Sequence, residues 1–185
     1  MFQNPNIAFG RTAILVVDML NDFVTGGLGC ERARGIVPAV VQLLDAARSN
    51  AVPVIFCNDS HVRGVDKELE FWGDHAIEGT YGAKVIPELK LSEGDYAVPK
   101  HHFSAFFDTE LDSLLKRLGI DTVVICGIYA NICVRHTAAD AYQHGYRVIV
   151  ASDAVDSMTE QEYRESLEYM KKVYGASILS NAELI

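Results

Sequence analysis

The stretch Gly119–Asp140, GIDTVVICGIYANICVRHTAAD, sets the reading of the whole chain. Val123, Val124, Ile125 and Cys126 form a short, continuous apolar run of mostly β-branched residues, the pattern of a strand buried on both faces. Gly127 is expected to end that strand. Ile132, Val134, Ala138, Ala139 and Tyr142 then recur with helical spacing. Cys133 therefore falls in the first turn of a helix that leaves the C-terminal end of a central strand. Unpaired backbone N–H groups and the positive end of the helix meet there. Such a place can lower a thiol pKa and hold an oxyanion. A buried structural cysteine is the commoner role for a lone Cys, so the rest of the chain has to decide.

Outward from this stretch, short apolar segments alternate with helical ones. Ala13–Val17 reads as a strand ending at Asp18, and Val52–Cys57 as a second ending at Asn58-Asp59. Tyr96–Val98 reads as a third, running into Pro99-Lys100. Tyr146–Ala151 and Ala176–Leu179 follow the central strand. The helices are expected over Ile36–Asn50, with Pro38 in its first turn, over Thr109–Leu118, capped by Asp108, and over Glu160–Val173. Val85–Leu89 reads as a short helix and Leu28–Gly35 as a loop. Ser60–Gly82 is long, polar and aromatic without clear periodicity, the kind of segment that serves a site or a lid.

Apolar strands separated by helices predict a parallel sheet covered on both sides, a three-layer αβα fold. Ligands in such sheets bind beyond the carboxyl ends of the strands. Asp18 stands there after the first strand, Asp59 and His61 after the second, Lys100 after the third, and Tyr129–Cys133 after the central one. Four strands thus deliver ionisable groups and a nucleophile to one edge, which raises the case for Cys133 as a catalytic thiol.

With 185 residues, 49% of them hydrophobic, the chain suits one domain with a full core, here taken as 1–185. A net charge of −9 argues against a nucleic-acid or anionic-membrane surface. Cys30, Cys57, Cys126 and Cys133 show no zinc-ribbon spacing, and reduced thiols fit a cytoplasmic protein. The first eleven residues, MFQNPNIAFGR, have neither the charged nor the apolar region of a signal peptide. No apolar run nears the roughly 20 residues of a membrane span.

Three motifs in order resemble the isochorismatase-like cysteine hydrolases, which include nicotinamidases and N-carbamoyl amidases. VVDMLNDF at Val16–Phe23 resembles the segment carrying that family's catalytic aspartate, here Asp18. KHHFSAF at Lys100–Phe106 resembles the segment of the catalytic lysine, here Lys100. GIYANICVRHTAADA at Gly127–Ala141 resembles the nucleophile segment, here Cys133. The resemblance covers nearly the whole chain. It implies a six-stranded parallel sheet of order 3-2-1-4-5-6. It also implies a cis peptide between Ile128 and Tyr129, which turns the Tyr129 N–H beside that of Cys133 as an oxyanion hole. Lys100 would stabilise the thiolate and Asp18 would shuttle the proton. From residue chemistry alone His136, one helical turn beyond Cys133, is the rival base.

Asp59, His61 and the later His75, in FWGDHAIEGTYGA, offer a carboxylate and two imidazoles, which suit zinc, iron or manganese. A D-x-H followed by a histidine ahead of a G-T-x-G-A run resembles nicotinamidases, and implies that all three hold a divalent transition metal, zinc first, that binds the substrate's ring nitrogen. Glu68 or Glu70 could add a ligand. Phe23, Trp72 and Tyr129 are the candidate ring contacts. The chain departs from the nicotinamidase pattern at Leu20, where Gln is usual, and at Trp72-Gly73, where Trp-Pro is usual. The expected activity is hydrolysis of a small carboxamide, nicotinamide first, by a homo-oligomeric enzyme. An N-carbamoyl amino-acid amidase is the alternative, with Arg63 or Arg135 to meet the substrate carboxylate. Isochorismate hydrolysis and a non-catalytic interaction protein rank below these. The absence of G-x-G-x-x-G after the first strand argues against a nucleotide-binding module.

Overall fold

The structure, a computed structural model, describes residues 11–185. The reading of the first ten residues as lacking a leader lies outside the described residues. Six strands, β1 (Thr12–Val17), β2 (Val54–Asp59), β3 (Tyr96–Lys100), β4 (Thr122–Ile128), β5 (Arg147–Asp156) and β6 (Ser177–Leu179), form one sheet. All pairs are parallel and the order is β3-β2-β1-β4-β5-β6, as expected. The eight helices of the described chain are α1 (Asn21–Val24), α2 (Glu31–Gly35), α3 (Val37–Ser49), α4 (Glu68–Trp72), α5 (Leu111–Arg117), α6 (Cys133–Gln143), α7 (Glu160–Tyr174) and α8 (Asn181–Leu184).

The period-2 geometry of β1 divides the core. Ile14 and Val16 face one layer with Leu43 and Leu44 of α3 and Leu184 of α8. Ala13, Leu15 and Val17 face the other with Leu111 and Leu115 of α5, Val134 and Ala138 of α6, and Met170 of α7. Both faces being covered explains why the central strands read as unbroken apolar runs.

From β1 the chain winds out to β2 and β3, then returns to place β4 on the other side of β1. The connections therefore leave β1 and β4 in opposite directions, and a crevice opens between their carboxyl ends. Asp18 leaves one strand there and Tyr129–Cys133 the other. Gly127 allows the two strands to lie this close. Its φ is +109°, and a Cβ there would sit 2.0 Å from the Val17 carbonyl oxygen. Gly127 does not end β4, as its composition suggests; it lies inside the strand where the pairing with β5 shifts register.

Several local expectations are corrected. Glu31–Gly35 is a helix where a Gly-rich loop is expected, and Glu68–Trp72 is a helix inside the aperiodic segment. Both span barely more than one turn, too short to show a 3.6-residue period. Asp108 does not cap α5: it has φ +55°, and the helix begins after Glu110, with Thr109 Oγ1 accepting from the Leu111 N–H. Val85–Leu89 contains only a 3-10 turn at Pro87–Leu89. Tyr142, expected on the packed face of α6, is 52% exposed.

Candidate active site

Asp18 is buried and has the left-handed φ of +54° just past the end of β1. Asp18 Oδ1 accepts from the Asp59 N–H at 2.8 Å. Lys100, fully buried at the end of β3, sits between two carboxylates: its Nζ is 2.8 Å from Asp18 Oδ2 and 2.5 Å from Asp59 Oδ1. The first contact is an ion pair without hydrogen-bond alignment, so Asp18 Oδ2 still has no hydrogen-bond partner. Cys133 opens α6, and its sulfur and carboxylate oxygens of Asp18 and Asp59 all lie within 4.8 Å of one another. The three residues expected to form a triad share one buried cluster, with Asp59 as a fourth member.

The electrostatics differ from expectation at the thiol. Burial and the two carboxylates push the Cys133 pKa well up, against the pull of Lys100, so the helix end does not leave a resting thiolate. Burial, then Asp59, raises Asp18 to about 6, against Lys100 and hydrogen bonding. Burial would lower the Lys100 pKa, but Asp18 and Asp59 outweigh it and the ammonium is firmly charged. The site thus pairs a protonated thiol with a carboxylate tuned toward neutrality, an arrangement suited to moving a proton between them.

The turn before α6 has its own pattern. The Ile128–Tyr129 peptide is cis. Ala130 N–H donates to Asp156 O, Asn131 N–H to Ser157 Oγ, and the Ile132 and Val134 N–H groups to Tyr129 O. The N–H groups of Tyr129 and Cys133 are the two in this turn without a protein acceptor among the described residues. The Tyr129 hydroxyl donates to the carbonyls of Phe23 and Leu28, which pins its ring.

Beside this cluster, ligand atoms of Asp59, His61, Glu68 and His75 lie within 4.8 Å of one another. His75 Nδ1 is 2.8 Å from the Gly73 carbonyl and, as its donor, leaves Nε2 to face Glu68 Oε1 at 3.6 Å. His61 Nε2 and Asp59 Oδ2 are 3.5 Å apart, both buried and both without a hydrogen-bond partner. Two buried orphan atoms that can each offer a lone pair to one point fit a cation that both ligate. Two imidazoles and two carboxylates suit a divalent transition metal, so the residues present fit the group. Burial lowers the affinity of both imidazoles for protons, but neighbouring carboxylates, Asp59 for His61 and Glu68 for His75, reverse that shift. A cation would compete for the same lone pairs. Glu70 is exposed and outside this group.

Between the two clusters lies a tight pocket. It is lined by Asp18, Asp59, Glu68, His75 and Cys133 on the polar side, and by Phe23, Leu28, Trp72, Phe103, Ile128, Tyr129, Ile132 and Met158 on the apolar side. The centre of a water-sized sphere has only about 30 Å³ there. All three candidate ring contacts line it. Leu28, Phe103, Ile132 and Met158 escape a sequence reading. Phe103 lies inside the lysine motif and Met158 just past β5, so position beyond a strand end is the signal that could have found them. His136 lies outside the pocket, exposed, its Nδ1 on the Ile132 carbonyl. Arg63 pairs with Asp74 at 2.6 Å, and Arg135 stacks over the Tyr169 ring at 3.8 Å; neither lines the pocket.

The Isochorismatase domain family matches residues 12–183. The N-carbamoylsarcosine amidase of Thermoplasma acidophilum superimposes with a TM-score of 0.87 at 41% identity, covering 92% of this chain and 96% of that one. The nicotinamidase of Bacillus subtilis gives 0.87 at 30% identity, over 92% and 99%. The pyrazinamidase of Pyrococcus horikoshii, solved in complex with zinc, gives 0.85 at 29% identity, over 92% and 99%. The chain therefore belongs to the isochorismatase family, as a hydrolase of the group whose members act on C–N amide bonds.

Proposed function

We propose that the chain, as one hydrolase domain over residues 1–185, cleaves the C–N bond of a small neutral carboxamide through a thioester, with nicotinamide as the preferred substrate. The observation that carries this reading is the pocket itself. It is narrow and aromatic, it is lined both by Cys133 and by Asp59, Glu68 and His75 of the neighbouring cluster, and among the described residues no Arg or Lys lines it. A flat ring carrying a carboxamide and, meta to it, a Lewis-basic nitrogen has one group for Cys133 and one for that cluster. A substrate carboxylate would meet Asp18, Asp59 and Glu68 in the wall, and the one ammonium nearby, Lys100, is already shared between the first two.

In this reading Asp18 takes the Cys133 proton as the sulfur attacks the amide carbon. The developing oxyanion accepts from the Tyr129 and Cys133 N–H groups. Asp18 then gives the proton to the nitrogen, the C–N bond breaks and ammonia leaves a thioester. Asp18 next takes a proton from water, which attacks the thioester. The carboxylic acid departs and the proton returns to sulfur. Lys100 keeps its charge throughout, steadying whichever of Asp18 and Cys133 is anionic. Phe23, Trp72 and Tyr129 orient the ring. Asp59, His61 and His75, with Glu68, would hold a divalent metal, zinc first and iron or manganese as alternatives, which when bound supplies a coordination position for the ring nitrogen.

The second reading is an N-carbamoyl amino-acid amidase using the same thiol. The 41% identity to the Thermoplasma enzyme favours it. Ammonia release from nicotinamide, pyrazinamide and a set of N-carbamoyl amino acids separates the two. Turnover of the ring amides is expected; turnover of the N-carbamoyl compounds alone would replace the first reading with the second. A cytoplasmic homo-oligomer belongs to the same proposal. All four cysteines are free, and no described helix is long and apolar enough to cross a membrane. Light scattering on the purified protein reads the oligomeric state.

A further inference from the structure

We propose that Asp22 is a positioning residue for His75, and that position 82 is glycine to make room for the Asp22 carboxylate. This rests on the metal-centred part of the reading above. Two pieces of sequence, Asn21-Asp22 and G-T-Y-G-A at Gly79–Ala83, have no part in the chemistry described so far, and here they meet.

Asp22 lies in α1, four residues past Asp18. Its Oδ2 accepts from the Ala76 N–H at 2.9 Å. Ala76 directly follows His75, is fully buried and has the left-handed φ of +44°. On its other side the Ala76 carbonyl accepts from the His61 N–H at 2.9 Å. The peptide unit joining His75 to Ala76 is therefore held by the Asp22 side chain, and the next one by the backbone of the other histidine. The His75 ring is fixed by Gly73, which meets Nδ1, and by the ring of Phe23, which meets it edge-on at 5.5 Å. Asp22 fixes the backbone from which that ring hangs.

Gly82 closes the argument. A Cβ at Gly82 would lie 2.0, 2.3 and 2.4 Å from Oδ2, Cγ and Oδ1 of Asp22, and those are its three nearest obstacles. Gly82 is not among the left-handed glycines, so its lack of a side chain serves space rather than backbone conformation. The Asp22 N–H also donates to the Gly82 carbonyl at 3.1 Å. Asn21 ties down the same segment separately, its side-chain amide donating to the carbonyls of Tyr81 and Lys84 at 3.0 and 2.9 Å. The segment keeps that strap when Asp22 is altered, so the effect of Asp22 falls on His75.

The test is zinc affinity, measured by competition with a chromophoric chelator, together with the visible spectrum of the cobalt-substituted protein, which reports the donor set. Asp22→Ala is expected to weaken zinc binding about 10–100-fold, the range for loss of an outer-sphere partner, and to change the cobalt bands. Asp22→Asn keeps an acceptor oxygen and should restore most of the affinity. Gly82→Ala should weaken binding like Asp22→Ala by displacing the carboxylate. The double variant Asp22→Ala/Gly82→Ala should be no worse than Asp22→Ala, because the obstacle is gone. Where Asp22→Ala does not fold, the Asp22→Asn and Gly82→Ala pair carries the same comparison. Wild-type affinity in Asp22→Ala, or in Gly82→Ala, would overturn the proposal. A wild-type protein that binds no zinc fails before any variant is compared, which refutes the metal reading itself.

Discussion

Lys100 is the residue on which the site's electrostatics turn. A fully buried ammonium is stable only because Asp18 and Asp59 flank it, and the two buried carboxylates tolerate each other only because of the ammonium. Lys100→Met, similar in length but uncharged, should destabilise the fold by about 3–5 kcal/mol, read by urea denaturation, because it strands buried charge. The loss should shrink as pH falls. Asp18 is already raised to about 6, from 3.8, chiefly by burial. Removing Lys100 raises it further, so the native variant binds a proton that the unfolded chain binds only at lower pH. Its stability relative to wild type should therefore recover as pH drops from 8 toward 5. A loss that grows toward acid would contradict this account. Cys133→Ala should lower amide hydrolysis by roughly 10⁴-fold or more while leaving the unfolding midpoint near wild type; full activity in that variant would remove Cys133 as nucleophile. The clustering of Asp18, Lys100 and Cys133 was legible because each stands at or shortly past the carboxyl end of a strand. The direction of the thiol shift was not. It depends on how deeply the sulfur lies and on Asp59 standing beside it, distances that a linear reading cannot supply.

At the scale of elements, the segment after β3 must be locked to the helix that carries Cys133. Ser104 Oγ donates to Asp140 Oδ2 at 2.6 Å, and the Ala105 N–H donates to Thr137 Oγ1 at 3.0 Å. Both partners lie on α6, one and two turns past the nucleophile. The Ser-Ala of the lysine motif is thus a clamp between the β3 end and α6. Ser104→Ala should cost about 1.5–3 kcal/mol, the range for a hydrogen bond to a charged group, measured as a shift in the urea midpoint. Activity should fall with it, because the same clamp sets the distance from Lys100 to Cys133. An unchanged midpoint and kcat would show that the segment is held by other means. The strands and long helices were readable from period and run length. Helices α2 and α4 were not, since five residues cannot display a helical period, and α4 presents no buried face at all. Its consequence is large, because it brings Glu68 and Trp72 to the pocket. A sequence reading could name Glu68 and Glu70 as possible ligands but could not choose between them.

At the scale of the whole molecule, the metal cluster joins pieces distant in the chain: Asp59 and His61 after β2, Glu68 on α4, and His75 on the returning segment. The His61 N–H donates to the Ala76 carbonyl and the Glu78 N–H to the His61 carbonyl, so backbone hydrogen bonds of its own dock the segment beside His61, apart from anything its side chains ligate. Metal binding should therefore add stability to a formed fold rather than create one. A ligand that binds only the native state contributes RT ln(1 + [L]/Kd), about 2.7 kcal/mol at one hundred times Kd. For a chain of this length each kcal/mol moves Tm by roughly 2–4 °C, so zinc should raise Tm by roughly 5–11 °C over the chelator-treated protein. His61→Ala should abolish the increment, since its Nε2 is one of the two orphan buried atoms at the centre of the cluster. The chelator-treated protein should still unfold cooperatively. Non-cooperative melting after chelation would mean that the docked segment depends on the cation. An identical Tm with and without zinc, iron or manganese would mean that Asp59, His61, Glu68 and His75 hold no such metal, and the preference for a ring amide would lose its second anchor.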